Sequence, residues 1–146
     1  MSDLRSDNQS GADVHRELIR GWLRVAAADM ENAQILLSSA PSSYTHVAVL
    51  CQQAVEKLLK AVLVRHGISV PRSHDLGRLL SLLLEDEPDL VSRSGDAPAL
   101  SQYAVAPRYP DGYERMGLES ATAIYEIADR VRTDVQALLA NFLAEG

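Results

Sequence analysis

Apolar residues recur at steps of three and four through three long segments of this chain, and that period dictates α-helices. From about Ala12 to Ser39, Trp22, Val25, Ala26, Asp29, Ala33, Leu36 and Leu37 trace one stripe, with Asp29 its polar exception. From Tyr44 to His66 the stripe is Val47, Leu50, Cys51, Ala54, Val55, Leu58, Ala61 and Val62. From about Leu118 to Leu143 it is Ala121, Ile124, Tyr125, Ala128, Val131, Val135, Leu138 and Leu139. No stretch alternates as a strand would, no internal repeat is present, and no coiled-coil heptad pattern is long enough to define a rod.

The breaks are equally local. Pro41 ends the first segment, and Ser42 or Ser43 can cap the second. Gly67 suits the left-handed position just past a helix end, and Pro71 continues the loop. Ser73 is positioned to cap a third helix from His74 to about Glu85, carrying Leu76, Leu79, Leu80, Leu83 and Leu84. Residues 85–98 are loop-like, with a short turn around Asp89-Leu90-Val91, and a short helix is expected from Ala97 to Ala106. Pro107-Arg108-Tyr109-Pro110-Asp111-Gly112 forces an ordered turn. Residues 1–12 are polar and read as a disordered tail; 13–146 read as one helical domain. The expected fold is all-α: an antiparallel up-and-down bundle of about five helices, the longest spanning roughly 30 Å or more.

Composition narrows the function. The chain has 146 residues, 47% of them hydrophobic, which is enough for one core. Its net charge of −6 disfavours a general grip on nucleic acid or an anionic membrane. No apolar run reads as a signal peptide or a membrane span. The single cysteine, Cys51, excludes a disulfide framework, reads as a buried inert thiol and suits a reducing cytoplasm. There is no glycine-rich phosphate loop, and His15, His46, His66 and His74 have no metal-binding spacing, so no cofactor or metal is expected.

Three polar clusters remain. In Gln52-Gln53-Ala54-Val55-Glu56-Lys57-Leu58-Leu59-Lys60, Glu56 and Lys60 stand in the order that favours an ion pair. That cluster reads either as a solvated, salt-bridged helix face or as a basic, amide-bearing surface for phosphate. Pro71-Arg72-Ser73-His74-Asp75 enters a helix, and is either a capping motif or an anion-attracting start with His74 as donor. Arg108-Tyr109-Pro110 is either a turn pinned by its ring or a cation beside a stacking face.

The run from Tyr44 to Ala61, with Ser73-His74-Asp75-Leu76 and Arg108-Tyr109-Pro110-Asp111 following in order, resembles the signature of HEPN domains. Ala28-Asp29, Ala33 and Leu36-Leu37 match that family's first helix, and the likeness covers about residues 17 to 140. The resemblance implies a helical bundle that forms a homodimer, acts beside a small nucleotidyltransferase and holds a nucleotide or that partner. It implies that Gln53, Glu56, Lys57, Lys60, His74, Arg108 and Tyr109 matter together. Lys57, Lys60 and Arg108 would face phosphate, Tyr109 would stack, and His74 would hydrogen-bond. Alternatively Glu56, Lys60, His74 and Arg108 form one polar network tying segments together.

Some HEPN proteins are metal-independent ribonuclease toxins that use an Arg followed, after four to six residues, by a His. No histidine here has an arginine at that distance: Arg65 adjoins His66, and Arg72 precedes His74 by two. The expectation is a non-catalytic binding module with no catalytic residues. The alternative is a ribonuclease of a toxin–antitoxin system with a rearranged site at His74, using Arg72 or Arg108.

Overall fold

The structure is a computed structural model that describes the backbone of residues 2–104 and 115–146, with side chains from Gly11 onward within them. Helices α1 (Ser2–Ser38) and α2 (Thr45–Arg65) form an antiparallel hairpin, followed by α3 (Leu76–Leu83), α4 (Pro88–Arg93), a 3-10 helix (Ala97–Tyr103) and α5 (Leu118–Ala144). No strand occurs among the described residues. The all-α bundle expected from the periodicity is the observed fold.

α2 is the hub. Sixteen of its 21 residues are buried, and it packs against α1, α5, α3 and the 3-10 helix. A helix buried on almost every side needs apolar residues all round, and α2 supplies them as Val47, Ala48, Leu58, Leu59, Val62 and Leu63. Ile19, Ala26, Met30 and Ala33 of α1 cover it from one side, and Ala128, Val131, Val135 and Leu139 of α5 from another. Trp22, Leu23, Leu36 and Leu37 are partly buried against this core.

The helix ends follow their local chemistry. α2 ends at Arg65, and the turn beyond it passes through Gly67, whose φ of 67° is the left-handed conformation that a Cβ would disfavour. There Ile68 N–H donates to Leu63 O and Gly67 N–H donates to Val64 O, closing the exposed carbonyls of the last turn. At the start of α2, the Thr45 N–H donates to the Ser43 hydroxyl, and Tyr44 N–H donates to Met116 O beside the start of α5.

Five details differ from the sequence expectations, the first being that part of the expected loop, Pro88–Arg93, is helix α4, opened by a proline in its first turn. α1 begins at Ser2 rather than near Ala12, because nothing before Gly11 stops a backbone helix and a mid-helix glycine costs only about 1 kcal/mol. Asp75, not Ser73, caps α3, accepting from Arg78 N–H, while the Ser73 hydroxyl accepts from Asp75 N–H one step earlier. Val25 is 46% exposed, because α1 carries two apolar stripes and α2 covers the other one. The short helix after Ala97 is 3-10. The turn from Pro107 to Gly112, with Arg108 and Tyr109, lies outside the described residues.

Arginines near the middle of α1 fasten it to the end of α5. Arg16 donates to Phe142 O at 2.9 Å, and Arg20 donates to Leu143 O at 2.9 Å. The guanidinium groups of Arg16 and Arg65 lie 4.5 and 4.2 Å from the centroid of the Phe142 ring. Cations at a helix C-terminus also meet the negative end of its dipole.

Candidate functional site

Gln52, Glu56 and Lys60 stand four apart along α2, so they share one edge of the helix. All three are buried. This corrects the reading of the cluster as a solvated face: α1 and the loop before α3 close over that edge, and the charges persist there because each is paired. Lys60 Nζ donates to Glu56 Oε2 at 3.0 Å, and Gln52 Nε2 donates to Glu56 Oε1 at 3.3 Å and to His74 O at 3.2 Å. His74 Nδ1 lies 2.7 Å from Glu56 Oε1. The Lys60 ammonium also lies 5.8 Å from the Trp22 ring centroid.

Burial alone would favour the neutral form of Glu56. Hydrogen bonds from His74, Lys60 and Gln52, with the charge of Lys60, outweigh it and hold the carboxyl below its ordinary value. Glu56 is therefore a carboxylate and accepts, so His74 donates from Nδ1–H. The His74 side chain is 67% exposed, so the far edge of its ring faces away from this buried pair. The Gln52 Oε1 is buried with no partner among the described residues.

Lys57 faces another way. Its Nζ lies 2.7 Å from Asp29 Oδ2 of α1, with both side chains largely buried. Asp29 thus explains its own place on an apolar stripe. Nearby, burial first and the charge of Asp29 second push the Cys51 thiol up to about 12, so it stays protonated and inert.

The structure therefore brings together Glu56, Lys60 and His74 of the expected site, separates Lys57 from them, and leaves Gln53 half-buried beside the cluster. Arg108 and Tyr109 lie outside the described residues. Gln52 and Asp29 belong to these networks and were absent from the expected site. Their signals were the four-residue step from Gln52 through Glu56 to Lys60, and a carboxylate set among apolar residues. Among the described residues no group of His, Cys, Asp and Glu can hold a metal ion, and no helix is long and apolar enough to cross a membrane.

In this chain a helical hairpin with a buried polar edge is followed by a short helix entered through Ser73-His74-Asp75. The sequence profile of the HEPN domain matches residues 19–138, and the chain belongs to that family. It is similar in structure to TT1696 from Thermus thermophilus, with 27% identity over 82% of this chain and 96% of that one and a TM-score of 0.67. It is also similar to ST0689, an archaeal HEPN homologue, with 25% identity over 83% of this chain and 97% of the other and a TM-score of 0.64. No match is found among curated proteins.

Proposed function

We propose that this chain is a non-catalytic HEPN module, a homodimer that docks a small nucleotidyltransferase rather than cutting RNA. The observation that carries this reading is how its cations are used. Lys60 is paired with Glu56 and Lys57 with Asp29, so the two lysines expected to grip phosphate have their charge matched internally. A phosphate site needs cations whose donors remain available. The polar edge of α2 instead serves to hold the loop before α3 against the hairpin, which sets the shape of the face around His74. The nucleotidyltransferase partner rests on the family resemblance.

The nucleotide-holding version depends on Arg108 with Tyr109. Titration with ATP tests it: no heat is expected from the wild-type protein. Heat that disappears on Arg108→Ala would move the assignment to nucleotide binding.

One observation favours the ribonuclease alternative. Glu56 orients the imidazole of His74 on a side chain that is 67% exposed, which is how a carboxylate prepares a histidine for proton transfer. Arg72 is exposed two residues earlier and has no ion-pair partner among the described residues. Incubation of the purified protein with RNA in the absence of metal separates the readings. Intact RNA is expected; cleavage that is lost on His74→Ala would overturn the non-catalytic assignment.

A further inference from the structure

α1 exposes large apolar residues along the side turned away from the core. Val14, Leu18, Val25 and Ile35 are 53%, 51%, 46% and 57% exposed. From Val14 to Ala28, with Gly21 between, the line steps by four and three alternately, which is the seam of a short coiled coil. A groove of about 520 Å³ follows this line between Val14 and Val25.

We propose that two copies of this chain pair antiparallel along this stripe, with Glu17 of each copy opposite Arg24 of the other. The inference rests on the homodimer of the preceding section and says where its two copies meet. In that register Leu18 of one copy meets Gly21 of the second, and Val14 meets Val25.

Two features select a second copy as the occupant. The first is charge. Glu17 and Arg24 flank the stripe on the same edge, immediately before Leu18 and Val25, and neither has an ion-pair partner among the described residues. Reversing the helix exchanges their order, so the edge is complementary to itself under two-fold symmetry and forms two pairs at once. Each copy carries a net charge of −6, and a self-neutralising edge adds nothing to the repulsion between copies.

The second feature is Gly21. A glycine inside a helix costs about 1 kcal/mol relative to alanine. Within one copy nothing requires it: a Cβ there would meet only the Arg24 guanidinium, at 3.9 Å. Across a seam, it makes room for Leu18 of the opposing helix and lets the two backbones approach closely.

Sedimentation velocity on the full chain tests the proposal, with circular dichroism as the check on folding. The wild type is expected to be a dimer and Val25→Glu a folded monomer. Glu17→Arg and Arg24→Glu should each weaken the dimer by about tenfold or more, because each places two like-charged pairs in the seam. The double variant E17R/R24E should regain it, a rescue that a merely misfolded single variant would not give. A monomeric wild type would overturn both this face and the homodimer. A Val25→Glu dimer would leave the homodimer standing and overturn the face. Single charge variants that dimerise normally, or a double variant that does not recover, would overturn the pairing of Glu17 with Arg24.

Discussion

The inner edge of α2 and the outer stripe of α1 invert the usual distribution of residue types. α2 buries Gln52, Glu56 and Lys60, while α1 leaves Val14, Leu18, Val25 and Ile35 in solvent. The difference shows that partners, not hydrophobicity alone, decide where a side chain is tolerated. Each buried charge on α2 is matched by a neighbour within hydrogen-bond reach, so its burial is compensated. The apolar residues of α1 have no such neighbour within one copy, and a second copy supplies it in the arrangement proposed above.

The comparison breaks most readily at Glu56. Glu56→Gln leaves the Lys60 ammonium buried without a counter-charge, and thermal denaturation should register a loss of about 3–5 kcal/mol. Acid attacks the same group. Because its folded carboxyl is held below the ordinary value of 4.5, the stabilisation it gives is complete above that pH and is lost as the pH falls through the folded value. Melting temperatures taken downward from about pH 5 should fall in the wild type and fall less in Glu56→Gln. Lys57→Met strands the largely buried Asp29 carboxylate and should cost about 1–2 kcal/mol in chemical denaturation. At the other extreme, Val25→Ser on the exposed stripe should change the stability of dilute protein by no more than about 0.5 kcal/mol. A large loss there would mean that Val25 supports the fold of a single copy.

The parts of this fold legible in the sequence are those written in local chemistry. Pro41 and Gly67 mark real helix ends, and the Glu56–Lys60 spacing does form an ion pair. The burial of that pair was not legible, because it depends on α1 and the loop before α3 closing over the same edge of α2. Val25 was misjudged for a related reason. Two stripes on α1 have comparable apolar content, and only the packing of α2 chooses between them. The cap of α3 fell between two nearby residues with capping side chains, Ser73 and Asp75, and the turn geometry decided for Asp75. The Lys57–Asp29 contact joins two helices across 28 positions of sequence, so no single-helix pattern reveals it, although a carboxylate on an apolar stripe marks the place to look.

The grip of Arg16 on Phe142 spans 126 positions of sequence. Closing so large a loop consumes chain entropy before any contact rewards it, whereas the hairpin of α1 and α2 closes through a short connection. The hairpin therefore costs less chain entropy to close than the docking of the last helix onto its far end. The arginine clasp then makes the two ends of the domain interdependent, so that fraying at one loosens the other.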